Sequence, residues 1–260
     1  MKTKTTKNTV SVMIIAVMTA MVTLFVTGCQ SSRINQRKGV EVKNEDLYKN
    51  GVFQADKAKD AYYALMKSFN YPIYPILKTD NFWVCDFMQG DMKNLGMGGI
   101  FWINEKGEYG KTGCKKYKGK FKGQQFGYLG HDIFLLPNQV LPEHDHIGGP
   151  EGFGPKMEAW QVRHGEVDFF SELAAPGGDE MLISDMPENE RPWGYGEPWF
   201  KCKYVVKRKA GEIYKLADPE SFHFQRAGKD GAIVTEYATY HNDVRFSKPG
   251  MAFANSGDKK

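Results

Sequence analysis

From residue 82 to residue 237 the chain is a succession of short apolar runs: Phe82–Phe87, Gly99–Ile103, Ile133–Leu136, Met157–Arg163, Val167–Phe170, Tyr204–Val206, Ile213–Leu216, Ser221–Arg226 and Ala232–Tyr237. Most are rich in β-branched or aromatic residues, and Gly or Pro punctuates the gaps, which is the pattern of short strands. No long helical pattern separates them, so crossovers between parallel strands are not expected. An all-β, antiparallel double-sheet barrel is the arrangement that leaves the fewest open edges. One amphipathic helix is expected first, over 54–69, where Ala58, Ala61, Tyr62, Leu65, Met66 and Phe69 recur at helical spacing. Tyr71-Pro72-Ile73-Tyr74-Pro75 then forces an extended segment, because each Pro disfavours the helical state in the residue before it. The insert 173–200, with several Pro, Gly and acidic residues, reads as loops over one mouth of the barrel.

The N-terminus has the composition of an export signal. Lys2, Lys4 and Lys7 precede an apolar run from Val10 to Val26 that is shorter than a membrane span. Val26-Thr27-Gly28-Cys29 resembles a bacterial lipobox, which implies a signal peptide over 1–28, lipidation at Cys29 and a body in the cell envelope. Residues 29–50 are then expected to be a tether and 51–260 the folded domain. Loss of the three signal lysines lowers the net charge from +4 to +1. Overall charge therefore leaves no footprint for nucleic acid. The cluster Lys115, Lys116, Lys118, Lys120 and Lys122 reads as a solvated loop or edge strand. Cys85, Cys114 and Cys202 form no C-x-x-C pair, so a zinc ribbon is not supported; one disulfide or three free thiols are both compatible with the sequence.

The residues that carry chemistry are dispersed. His144 and His146 stand at i and i+2, which on a strand puts both on one face. Glu158 on a neighbouring strand and His223 on another can close with them around one divalent cation. Three imidazoles and a carboxylate suit Mn, Fe, Co, Ni or Zn, and suit calcium or magnesium poorly. His131, His164 and His241 are isolated and are expected to be surface or hydrogen-bonded residues. Lys229-Asp230-Gly231 is expected to close a hairpin onto the strand carrying Val234 and Glu236. Glu236 is either a partner for a metal-bound imidazole or an exposed strand residue. Trp160, Phe222, Phe224, Trp193 and Trp199 are candidates for a pocket wall.

These motifs resemble the cupin superfamily, and more narrowly its D-lyxose isomerase family. Asp86-Phe87-Met88-Gln89-Gly90-Asp91, Pro137-Asn138-Gln139-Val140-Leu141-Pro142-Glu143-His144-Asp145-His146 and Lys156-Met157-Glu158 are similar to that family's segments, and His223 falls where its last ligand lies. The resemblance implies a double-stranded β-helix (jelly-roll) barrel and metal ligands His144, His146, Glu158 and His223. It also implies manganese as the ion and Lys156 as an active-site contact. The activity implied is aldose–ketose isomerisation of D-lyxose, or of D-mannose, through an enediol. The partners implied are a small sugar and, through the lipid, a membrane; a homodimer is compatible. Lys248 stands where the resemblance implies an acidic residue, so Glu236 or Asp243 would take the proton-transfer role. The alternatives are a non-isomerising cupin, either an iron-dependent oxygenase or a lipid-anchored carbohydrate-binding protein.

Overall fold

The computed structural model describes residues 40–108, 125–147, 156–240 and 244–253. Cys29, Cys114, the lysine cluster at 115–122, His241 and Asp243 lie outside the described residues. In chain order the elements are α1 (Asn44–Leu47), β1 (Tyr48–Lys49), β2 (Val52–Phe53), α2 (Ala55–Ser68), β3 (Trp83–Cys85), β4 (Met97–Glu108), β5 (Gln125–Leu135), β6 (Val140–His146), β7 (Glu158–Ser171), β8 (Met181–Leu182), β9 (Tyr204–Lys209), β10 (Ile213–Lys215), β11 (His223–Ala238) and β12 (Val244–Phe246). Every strand pairing is antiparallel. The all-β expectation holds, and the expected helix at 54–69 is α2.

Two long strands build the barrel. β7 and β11 pair along their whole length, with a register shift between Ala227 and Ala232. The first half of β11 also pairs with β6, and its second half with β5. One strand thus belongs to two sheets, and the chain turns the corner without leaving the ladder. Two corrections follow. Residues 229–231 do not close a hairpin, because β11 continues through them against β7. Likewise the expected strands 157–163 and 167–170 are one strand.

The corner needs glycine. Gly165 and Gly231 both have left-handed backbone, φ +79 and +80. A Cβ on Gly165 would collide with the Gly231 carbonyl oxygen, and one on Gly231 would lie 2.8 Å from the Leu135 oxygen. No other residue fits both the conformation and the close approach.

The register shift also exchanges faces. Ala227 points into the inner core with Val167 and Phe169, and beyond the bend Ala232 and Val234 do so. Inward positions are odd-numbered before the bulge and even-numbered after it, because β11 carries three more residues than β7 across it, and an odd number flips the side-chain alternation. The inner core includes Leu135, Trp160, Val162, Phe169, Val206 and Tyr214 and fills the deep end of the barrel.

Outside the barrel, α2 lays Ala58, Tyr62, Leu65 and Met66 on Ile100, Phe134 and Ile233 of the outer sheet face. Leu47 joins this cluster, so part of the segment expected to be a tether forms α1 and β1 on the body. The insert 173–200 contributes Ile183 and Met186 to a third cluster with Phe170, Val205 and Phe224. Those strand residues face outward, so the insert covers an outer sheet face, and none of its residues lines the cavity described below. Glu143 fastens its end: the carboxylate accepts the backbone N–H groups of Lys201 and Cys202 at 2.7–3.0 Å. Cys85 and Cys202 are buried in different clusters and are not bonded to each other.

Candidate metal and acid–base site

At the end of the barrel opposite the bend, the inner faces carry polar residues in place of the apolar core. β6 supplies His144 and His146, and its Pro142 sits where the β6–β11 register shifts, so its missing N–H interrupts no regular ladder. β11 places His223 directly across from His144, while β12 pairs with the other edge of β6, setting Phe246 opposite His144 and Val244 opposite His146. Glu158 opens β7, and Lys156 stands two residues before it. That entry is pinned by Met157 and Thr239, which exchange backbone and hydroxyl hydrogen bonds at 2.9–3.0 Å.

These residues surround a small cavity of about 30 Å³, whose wall also includes Met97, Phe101, His131, Trp160, Gln225, Glu236, Val244 and Phe253. Of the five aromatic wall candidates, Trp160 alone lines it. Phe224 faces the outer cluster, Trp193 and Trp199 stack on each other in the insert, and Phe222 lies under Arg245.

His144, His146 and His223 each offer a ring nitrogen, all within 4.8 Å of one another. Glu158 Oε1 lies 3.1 Å from His146 Nε2 and 3.6 Å from His223 Nε2. Ligands about 2.1 Å from a shared ion lie roughly 3 Å apart when adjacent, so the spacing fits a transition metal. The tautomers fit as well. His144 Nδ1 bonds the Pro142 carbonyl oxygen at 2.8 Å and His223 Nδ1 that of Ser221 at 3.0 Å. A carbonyl only accepts, so each Nδ1 carries the proton and each Nε2 keeps a lone pair. His223 Nε2 is buried with no hydrogen-bond partner among the described residues. Burial, together with His223, lowers the pKa of His144 to about 3, and burial lowers that of His223 to about 4. Both are neutral ligand-competent imidazoles at physiological pH.

A second group of charges adjoins this one. Lys156 Nζ contacts Glu236 Oε1 and lies 3.4 Å from Glu158 Oε2, all three side chains being at most 3% exposed. Burial works against the Lys156 cation, but Glu158 and Glu236 outweigh it and raise its pKa. Burial pushes Glu236 up, yet Lys156 and His131 overcome it and hold the carboxyl well below the usual range. Glu158 goes the other way: burial and the Glu236 charge push it well above, against the pull of Lys156. A cation shared with the imidazoles would reverse that direction. Two carboxylates with opposed tendencies thus flank one ammonium.

The structure therefore brings together His144, His146, Glu158, His223, Lys156 and Glu236. Lys248 stands apart, donating to Gln89 Oε1 at 2.7 Å and facing the Trp193 ring. His131, discounted as an isolated histidine, is buried against Glu236. Only strand register reveals that pairing: the two residues are direct cross-strand neighbours on β5 and β11.

No protein-family model matches the chain. An L-ribose isomerase of Cellulomonas parahominis superposes with a TM-score of 0.52 at 17% identity, over 77% of this chain and 93% of that one. The fold is a cupin barrel. By sequence the chain is similar to the D-lyxose/D-mannose isomerase of Thermosediminibacter oceani, 27% identical over 183 residues, 70% of this chain and 82% of that protein. It is also similar to a D-lyxose ketol-isomerase of a Thermofilum species, 27% identical over 128 residues, 48% of this chain and 64% of that protein. The second match spans just under two thirds of its relative. These similarities support an isomerase, and the imidazole triad is consistent with a divalent-metal cofactor.

Proposed function

We propose that the protein is a metal-dependent aldose–ketose isomerase that interconverts a free aldose, D-lyxose or D-mannose, with its ketose. The observation that carries this is the adjacency of two groups at one cavity: the imidazole–carboxylate cluster, and the Lys156–Glu236 pair. His144, His146, Glu158 and His223 would hold the ion, with manganese as the proposed metal. Such an ion polarises the sugar's carbonyl and hydroxyl oxygens and stabilises negative charge that develops on them.

The chain's own residues supply the proton transfers. Glu236, held ionised, takes the proton from C2 of the aldose; the C2–H electron pair becomes the C1–C2 double bond, and the carbonyl pair moves onto O1, which takes the proton of the C2 hydroxyl. The C2 oxygen then re-forms a carbonyl as the C1–C2 double-bond pair takes the proton back from Glu236 at C1, giving the ketose. Lys156 stays cationic and donates hydrogen bonds to the oxygen on which charge accumulates. Trp160 and Phe101 keep bulk water from that end of the cavity. Glu236 thereby fills the role for which Asp243 was the other candidate.

The test is metal analysis of the purified protein, then isomerisation of D-lyxose and D-mannose in heavy water with manganese. Turnover with solvent deuterium entering the product is expected, and His223→Ala should lose both metal and turnover. Wild-type turnover undiminished by thorough chelation, or by His223→Ala, would exclude the mechanism. Oxygen consumption with iron, or tight sugar binding without interconversion, would favour the two alternative activities. We further propose, from the Gly28-Cys29 pair, that the enzyme is lipid-anchored in the cell envelope. Radiolabelled palmitate should then label the wild type and not Cys29→Ser.

A further inference from the structure

Glu236 can move a proton between neighbouring carbons only if its carboxylate stays in one orientation. Lys156 holds one oxygen, Oε1, but an ammonium on a flexible stem is a point charge that does not fix the carboxylate plane. The other oxygen, Oε2, is 2.8 Å from His131 Nδ1. His131 is locked from three sides. Its ring stacks on Trp83, with centroids 5.6 Å apart and planes 26° apart, and lies against Phe101 at 4.4 Å. Its Nε2 edge lies over Gly99, where a Cβ would sit 2.6 Å away. That Nε2 is buried and has no hydrogen-bond partner among the described residues. A carboxylate only accepts, so the ring donates this hydrogen bond through its Nδ1–H.

We propose that His131 is the positioning residue for Glu236: through Nδ1–H it fixes the plane of the carboxylate so that the opposite oxygen faces the reacting carbons. This rests on the isomerase reading above and assigns a role in it to a residue that acts through Glu236. Gly99 belongs to the same device, since any side chain there would displace the ring.

Two variants separate positioning from packing. His131→Phe keeps the ring and its aromatic contacts and removes the donor. His131→Asn gives up ring area and places an amide N–H where Nδ1 was. With metal content and KM near wild type, His131→Phe is expected to lower kcat about 10- to 100-fold, the usual effect of removing a partner that orients a functional group. His131→Asn should recover most of that loss. An independent readout needs no turnover: long-range nitrogen–proton NMR of the metal-free protein should show His131 protonated on Nδ1 and bare on Nε2, and Glu236→Gln should change that pattern. Wild-type kcat in His131→Phe, equal impairment of both variants, or an Nε2-protonated ring would overturn the proposal. A wild type inert on every aldose with manganese would instead sink the isomerase reading itself.

Discussion

Lys156→Met removes the only cation from between two buried carboxylates while keeping the stem's volume. At an effective dielectric near 20, an ion pair at 3–4 Å is worth about 4–5 kcal/mol before desolvation, and Lys156 makes two such contacts. Desolvating the ammonium cancels much of that, but breaking a buried pair by deleting one partner still costs about 3–5 kcal/mol, because the remaining charge is stranded. That is the expected loss in the metal-free protein at pH 8. The loss should depend on pH. In the wild type Lys156 and His131 hold Glu236 below its unfolded pKa despite burial, so its contribution is present above that value. Without Lys156, burial raises the Glu236 pKa above the unfolded value of about 4.3. The folded variant then binds a proton that the unfolded chain does not, and its deficit shrinks as pH falls through the new folded pKa, by up to about 1.4 kcal/mol per pH unit. Urea unfolding followed by tryptophan fluorescence, with chelator, at pH 8 and pH 5.5 measures both quantities. A deficit below about 1 kcal/mol, or one equal at the two pH values, would refute the electrostatic account of this pair.

The metal-free protein should be acid-labile. His144 and His223 bind protons in the unfolded chain near pH 6.5 but in the folded one only near 3 and 4. Their stabilisation is therefore complete above pH 6.5 and lost as pH falls toward 4, with a slope of up to about 2.7 kcal/mol per unit for the two; replacing both with Asn should flatten the urea midpoint over that range. Gly165→Ala should lower the thermal midpoint by at least about 4 °C, since a left-handed non-glycine residue costs about 1–2 kcal/mol before the clash with the Gly231 oxygen is counted. Glu143→Gln weakens the carboxylate clamp on Lys201 and Cys202, so limited proteolysis within the insert should accelerate while the global midpoint moves by less than about 2 °C.

Much of the site is legible in the sequence because its spacing is local. His144 and His146 share a face through the two-residue strand period, and Lys156 and Glu158 repeat it at the entry to β7. The fold class is legible for a similar reason, in the short apolar runs and the single amphipathic helix. Glu236 is named as a proton-transfer candidate in the sequence but its surroundings stay open there, because a polar residue on a half-buried strand looks the same whether it faces solvent or a cavity. His131 resisted more completely: its function is a pairing with a residue 105 positions away, visible only once β5 and β11 are in register. The hairpin expected at 229–231 has a physical origin too. A glycine with positive φ serves a tight turn and a bulge equally well, and what decides between them is that β7 bends at Gly165 in the same place.

That shared bend is what makes the site. His223 and Glu236 are thirteen positions apart on one strand, an odd number, so strict alternation would send them to opposite faces of the sheet. The three extra residues of β11 between Ala227 and Ala232 restore them to the same face, and the corner brings the far end of β11 back to the mouth from which it started. β7 does the same with Glu158 and Phe169, eleven apart and both inward. β7 shifts at its own place, by the one residue it carries between Val162 and His164, which pair with Val234 and Ile233. The barrel is thus closed by the same irregularity that carries an acid–base carboxylate from one sheet to within one side chain of the imidazole cluster on the other. Straightening either strand would leave both groups intact and put them on opposite sides of the wall.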